Sequence, residues 1–238
     1  MEIELPKLHS PNALLSSAVQ MYLETMNEQY IQVWLNGEKE DAYSASYFLR
    51  KKDKMPELEL IALSMCKGKI LDIGAGAGAH SALLTQNQFN VTALENDPGF
   101  CTILRTYAGL NVVKEDFFRW QCEDKFDTIL LLMNGFGIAQ RAERLSEMMA
   151  RLKKLLSEKG KILVEVTDYK FSPEYDHSIM NNPEATFRLM YEGDFSHEFH
   201  WLYPNLEMIE TYCNAQDMSI KLIFQEDETL LLEISKPS

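Results

Sequence analysis

With 238 residues, 46% hydrophobic and 25% charged, the chain is long enough for one sizeable core and has an ordinary globular composition. A net charge of −13 argues against nucleic acid as a partner, because tracking a phosphate backbone requires clustered Lys and Arg. The four cysteines, Cys66, Cys101, Cys122 and Cys213, form no CxxC pair and no Cys/His cluster, so neither a disulfide framework nor a metal site is expected. The start lacks the basic and apolar regions of a signal peptide, and no apolar run is long enough to span a bilayer. A soluble cytoplasmic protein with no membrane partner is the expectation. The short basic clusters, Arg50-Lys51-Lys52 with Lys54 and Arg151 with Lys153-Lys154, read as solvated faces.

Ser10-Pro11 is a helix start, with serine as cap and proline in the first turn. The spacing predicts a helix from there to about Asn36-Gly37, a second over Asp41 to Arg50, and a third from Pro56 with Leu58, Ile61, Ala62 and Met65 on one face. These helices form an N-terminal extension ahead of the first strand. Their aromatics either pack on the core or form a lid, for which Tyr43 and Tyr47 are the candidates.

From Lys69 the chain alternates strand and helix. Lys69 to Ser81 carries an apolar run interrupted by Asp72, then the glycines Gly74, Gly76 and Gly78, then helical composition from Ala79 to Gln86. Strand, glycine turn and helix open a nucleoside- or dinucleotide-binding α/β sheet, because a tight turn lets a ligand approach bare backbone. Asp72 is a poor neighbour for a pyrophosphate and a good one for an ammonium. Asn90 to Leu94 reads as the second strand, running into Glu95-Asn96-Asp97, and Pro98 opens a helix to about Ala108. Val112-Val113 is a brief third strand ahead of Glu115-Asp116-Phe117-Phe118, and Phe126 to Met133 is a nearly continuous apolar strand. A loop at 134–137, a long amphipathic helix over Ile138 to Leu156 and a fifth strand over Lys161 to Val166 complete a parallel sheet with right-handed crossovers.

Asp168 to Pro183 has turn residues and no clean period. Thr186 to Tyr203 alternates aromatics around Glu192-Gly193-Asp194, which suggests a hairpin. Leu206 to Gln216 reads as a helix. Ser219 to Phe224 and Thr229 to Ile234 are strands joined by so short a turn that they must pair antiparallel.

These residues resemble the class I S-adenosylmethionine-dependent methyltransferase family over roughly Gly68 to Lys236. The resemblance implies a Rossmann-like α/β fold: a seven-stranded, mostly parallel sheet with an antiparallel C-terminal hairpin and helices on both faces. It divides the chain into an N-terminal helical extension or lid over 1–66, within the same domain, and a methyltransferase domain over 67–238 with a substrate-side insertion at about 168–204. S-adenosylmethionine is the implied cofactor, leaving as S-adenosylhomocysteine. The family's first motif falls on Asp72, Gly74, Ala75, Gly76 and Gly78, and the acid holding both ribose hydroxyls falls on Glu95, with Asn96 beside it. The acid facing the adenine amino group falls on Asp116, with the Phe117 N–H reaching a ring nitrogen, and the fourth-strand motif ends at Asn134. A carboxylate accepts two hydroxyl hydrogen bonds at once, and the adenine amino donor needs an acceptor, so each placement has its own chemical reason.

The fourth strand ends Met133-Asn134-Gly135-Phe136, not the Asn-Pro-Pro-Tyr type of loop found in enzymes that methylate adenine or glutamine amines, so a nucleobase amine is disfavoured. Asn134 either positions substrate or merely shapes the turn. The acceptor pocket is expected under Tyr43 and Tyr47, walled by Phe136, Tyr169 and the 199–203 strand with Trp201 and Tyr203. His197 and His200 are candidates for a base, although alternating exposure on a strand explains them better than a metal site. No catalytic residue is assigned, since methyl transfer from a sulfonium is mainly a matter of orientation. The expected function is methyl transfer to a small molecule by a monomer or homodimer. Its rivals are a non-catalytic protein binding S-adenosylmethionine or S-adenosylhomocysteine, and a nicotinamide-dependent oxidoreductase.

Overall fold

A computed structural model describes residues 8–171 and 182–237. Most of the turn-rich stretch noted after Asp168 therefore lies outside the described residues.

The core is the sheet the alternation predicts. Its strands are β4 (Lys69–Ile73), β5 (Asn90–Glu95), β6 (Asn111–Lys114), β7 (Phe126–Leu131), β8 (Leu156–Thr167), β12 (Ser219–Glu226) and β13 (Thr229–Ser235), in the order β12-β13-β8-β7-β4-β5-β6. β4 to β8 pair parallel, whereas β13 runs antiparallel to both β8 and β12. The strand order reverses at β4, so the neighbouring carboxyl ends of β4, β5 and β7 open a crevice where α/β sheets bind ligands.

Burial on both faces explains the apolar runs. Ile129 and Leu131 lie in one core with Leu145, Met148 and Leu152 of helix α5 (Leu145–Leu155) and Ile209 and Cys213 of α6 (Leu206–Ala215). Leu130 lies in another with Leu58 and Ala62 of α2 (Glu57–Ser64) and Leu84 of α3 (Ala79–Gln86). Each such side chain contributes about 1.5–3 kcal/mol of burial. Helix α4 (Pro98–Tyr107) follows the second strand as read, capped by Asp97, whose Oδ1 accepts from the Phe100 N–H at 2.9 Å.

The N-terminal reading needs correction. Helix α1 (Pro11–Thr25) starts on the Ser10 cap as predicted, but it ends at Met26, which adopts a left-handed conformation. β2 (Tyr30–Leu35) and β3 (Glu38–Ser44) stand where helix was expected, followed by a 3-10 turn over Ala45–Leu49. The reason is local. Ile31 and Val33 alternate with polar or half-buried neighbours, and Asn36-Gly37 (φ 50° and 88°) makes a two-residue hairpin turn that was read as a helix stop. The long helix predicted from Ile138 also starts late. Gln140 (φ 66°) breaks it, and 3-10 turns occupy Gly135–Ala139 and Ala142–Arg144.

The hairpin predicted after residue 186 forms as β9 (Glu184–Tyr191), β10 (Asp194–Ser196) and β11 (Phe199–Leu202). β9 pairs with β2, so the two non-contiguous segments make one further sheet, ordered β1-β10-β9-β2-β3, with β11 on β9 and β1 (Leu8–His9) at the edge. Its inner face, with Ile31, Val33, Phe187 and Leu189, packs on Leu14, Ala18 and Val19 of α1 and reaches Ala77 of the glycine turn and Phe100 and Ile103 of α4. This sheet covers the glycine-turn side of the core. Ser16 of α1 sits so close to Gly99 that a Cβ there would lie 2.3 Å from its Oγ, and a Cβ on Gly137 would lie 1.9 Å from the Trp201 ring of β11.

Candidate functional site

The carboxyl ends of the parallel strands bring together much of the cofactor set named from sequence. The turn after β4 puts Gly74, Gly76 and Gly78 at φ 70°, 53° and 90°, all in the left-handed region. A Cβ on Gly74 would press on Ile138 at 2.9 Å and one on Gly78 on Leu104 at 2.5 Å, whereas one on Gly76 would meet nothing nearer than 3.9 Å. Gly76 therefore presents backbone to an open space, and the flanking glycines are required by packing. The Gly74 and Ala75 N–H groups both bond the Leu94 carbonyl, at 2.9 and 3.2 Å, which clamps the turn to β5.

Glu95 ends β5, buried, and is held by backbone alone. Its Oε1 accepts the N–H groups of Asn96 and Asp97, each at 2.8 Å, and its Oε2 accepts Gly76 N–H at 2.8 Å. Burial pushes its carboxyl up, against the pull of those N–H groups. The carboxylate is thus fixed at the mouth of the glycine turn with lone-pair capacity remaining. Asn96 is exposed, and its Oδ1 accepts from Asn12 Nδ2 of α1 at 3.2 Å. Asp116, half-buried after β6, accepts the Phe118 N–H at 2.8 Å, while the Phe117 ring is buried in the core.

Asn134 shapes the turn after β7. It has φ 55°, and its Oδ1 accepts Thr167 N–H at 2.7 Å, tying β7 to β8. Asp72 lies beneath the glycine turn, buried, with Ser81 Oγ donating to its Oδ2 at 2.5 Å. Burial pushes the Asp72 carboxyl up, partly offset by nearby His80.

Beside Asp72 is a network that the sequence reading missed. Arg50 is buried, which corrects its placement on a solvated face. Its Nε donates to Glu59 Oε2 at 3.0 Å, a terminal nitrogen donates to Glu59 Oε1, and the other donates to the Tyr47 carbonyl at 2.9 Å. His80 Nε2 lies 3.2 Å from that first terminal nitrogen and 3.1 Å from Glu59 Oε2, so its tautomer decides which it bonds. Burial raises the Glu59 carboxyl, but the His80 and Arg50 hydrogen bonds outweigh it and leave the group below its ordinary value. Glu165, one residue pair from the end of β8, accepts Met133 N–H at 2.8 Å and is pushed up by burial. The available signal was the outward order of the strand: Val164 and Val166 face one core, so Glu165 faces the other, toward α2.

The acceptor-side candidates separate. Tyr43 and Tyr47 meet Phe48 edge-on, with ring centroids at 6.4 and 6.2 Å, and both are exposed, while the Arg50 guanidinium lies 4.3 Å from the Tyr47 ring. Tyr169, Tyr203, Phe187 and Phe199 form a row of rings at 5.6, 6.4 and 5.6 Å, with Trp201 on the same inner face over Gly137. Three candidates need correction. Phe136 is 1% exposed and packs in the core with Leu131 and Leu145. His200 pairs in register with Thr186, its Nδ1 3.3 Å from Thr186 Oγ1, on the opposite face from Phe187 and Trp201. His197 is exposed, with its N–H on the His9 carbonyl at the sheet edge. Alternation of faces sets His200 opposite the aromatic row. No cluster of His, Cys, Asp and Glu suited to a metal ion occurs among the described residues, and no helix there is long and apolar enough to cross a membrane.

Residues 70–160 match the model of a family described as methyltransferase domain. Among solved structures, the chain is similar to a SAM-dependent methyltransferase from Bacteroides fragilis in complex with S-adenosyl-L-homocysteine, with 26% identity, TM-score 0.85, and coverage of 97% of this chain and 98% of that one. It also shares its fold with the CcbJ methyltransferase from Streptomyces caelestis, at 12% identity, TM-score 0.62 and 78% and 94% coverage. The glycopeptide N-methyltransferase MtfA complexed with (S)-adenosyl-L-methionine matches at 14% identity, TM-score 0.56 and 76% and 93% coverage. No curated protein matches the sequence.

Proposed function

From the premise that this chain carries the methyltransferase domain and fold of the class I S-adenosylmethionine-dependent family, we propose that it transfers a methyl group from S-adenosylmethionine to a small molecule. The observation that carries the reading is Glu95, a buried carboxylate fixed by three backbone N–H groups at the mouth of an open glycine turn. The donor set fits the cofactor. Glu95 would accept the ribose hydroxyls, Asp116 the adenine amino group with the Phe117 N–H on a ring nitrogen, and the bare backbone of Gly76 would admit the ligand's close approach. Beneath the turn, the carboxylates of Asp72 and Glu59 lie beside His80, acids suited to a ligand bearing an ammonium and a sulfonium. Arg50, held in place by Glu59, is the cation available to the ligand's single carboxylate.

Bound S-adenosylmethionine supplies an activated methyl group. The chain's own task is orientation, worth about 7–11 kcal/mol in favourable cases. Asn134 fixes the turn between β7 and β8, and the row of Tyr169, Tyr203, Phe187 and Phe199 with Trp201 offers apolar ring faces to an acceptor while excluding water. The exposed rings of Tyr43 and Tyr47 would roof the same crevice.

Calorimetric titration of the purified chain with S-adenosylmethionine and with S-adenosylhomocysteine tests the reading. Binding on the order of −8 kcal/mol, lost in Asp72→Ala and Glu95→Ala and absent with NAD or NADP, is the expected outcome. Binding of a nicotinamide nucleotide, or none of the sulfonium ligand, would remove it.

A further inference from the structure

The network under the glycine turn contains one group that neither the cofactor reading nor the ion pair uses. Glu165 Oε2 accepts the Met133 N–H, and its other oxygen takes no hydrogen bond among the described residues. Glu165 keeps part of its surface open, so that oxygen is accessible to a ligand. Its place is chemically telling. Glu165 stands near the carboxyl end of β8, bonded to the Met133 N–H beside the turn that Asn134 shapes after β7. The groups facing it from the packed elements are Glu59 of α2, His80 of α3, Arg50, and the Tyr47 ring of the 3-10 turn.

Resting on the reading above, we propose that the methyl acceptor is an amine and that Glu165 receives its proton. An acceptor with an anionic nucleophile, a carboxylate or a phenolate, would enter a neighbourhood that already holds more carboxylates than cations. An amine arrives there as an ammonium, which the free Glu165 oxygen attracts. The step balances simply. The ammonium N–H bond breaks, its proton goes to Glu165 and the electron pair stays on nitrogen. That pair then forms the N–C bond to the methyl carbon as the C–S bond breaks, its electrons returning to sulfur. The products are an N-methylated ammonium and S-adenosylhomocysteine, with Glu165 protonated until solvent takes the proton. Burial pushes the Glu165 carboxyl up, in keeping with a carboxylate that takes a proton.

The test uses the full chain and two probes of one size, N-methylbenzylamine and benzoate. Calorimetry on the protein saturated with S-adenosylhomocysteine reads acceptor binding, and S-adenosylhomocysteine release from S-adenosylmethionine reads turnover. The proposal expects the amine to bind and react, with turnover falling on the acid side. Glu165→Gln, which keeps an acceptor for Met133 N–H, should weaken amine binding at least tenfold, slow turnover at least a hundredfold and remove the acid limb. The same variant should bind S-adenosylmethionine as the parent chain does. Methylation or tighter binding of benzoate, no reaction of the amine, or full activity in Glu165→Gln would overturn it. Loss of S-adenosylmethionine binding in Glu165→Gln alone would reassign Glu165 to the cofactor. Loss in the parent chain would instead strike the methyltransferase reading.

Discussion

The two sheets hold their polar groups in opposite ways. In the seven-stranded sheet, helices cover both faces, and the site acids sit at strand ends where backbone fixes them: Glu95 by three N–H groups, Asp116 by one. The covering sheet packs one face on α1 and leaves Trp34, Arg188 and Phe195 stacked on the other, with guanidinium and ring 4.5 Å apart. It meets the core through side chains: Trp201 on Gly137, Glu184 on Arg141 and the Ala142 N–H. The segment that follows β3 adds Arg50 on Glu59 and His80. On the proposed reading, the nucleoside end of the site belongs to a rigid frame, whereas the methyl end lies at a seam closed by a few replaceable contacts.

The seam contact with the largest expected effect is the Arg50–Glu59 pair. Arg50→Leu leaves the Glu59 carboxylate buried without its fork, which costs about 3–5 kcal/mol and is read by urea unfolding. A loss below about 1 kcal/mol, the range of exposed pairs, would mean that charge does not hold the seam. Next comes Gly137→Ala, whose Cβ cannot coexist with the Trp201 ring. It should cost about 1–3 kcal/mol and raise the acceptor KM while leaving S-adenosylmethionine affinity intact. Equal damage to cofactor affinity would erase the distinction between frame and seam.

The pH dependence sharpens the same contrast. Glu59 lies below its ordinary value, so its pairing stabilises the fold fully above about 4.5 and the contribution is lost as pH falls through the folded value. Asp72 is raised, so its ionised form costs folded-state stability that returns as pH falls below its folded value. Unfolding followed from neutral to acid pH should therefore lose a destabilising acid limb in Glu59→Gln. In Asp72→Asn, stability at neutral pH should rise even as cofactor affinity drops. The smallest effect is expected of Glu184→Gln, which removes the half-exposed pair with Arg141 and should cost 1 kcal/mol or less.

The frame was legible because its signals are local. Asp72 with three glycines, the acids closing the second and third strands and the short terminal hairpin each occupy a few consecutive residues, and each element formed within a few residues of its expected place. The seam was not legible, for two reasons. The Asn36-Gly37 turn is also a plausible helix stop, so the strand that joins β9 was read as helix, and pairing between residues 30–35 and 187–190 leaves no local trace. Arg50 is followed by two exposed lysines, and the network around it assembles from four separated segments. Period-2 alternation puts His200 with Thr186 on the face opposite Phe187, while Phe136 packs in the core beside Leu131.

The most direct test of the central claim is a crystal structure of the chain with S-adenosylhomocysteine. The account predicts the ribose hydroxyls on Glu95, the adenine amino group on Asp116, the amino-acid end over Asp72 and Arg50, and the sulfur turned toward Glu165 and the Tyr47 face. A nucleoside bound away from Glu95 and Asp116, or a glycine turn that stays closed over Gly76 at saturating ligand, would contradict it.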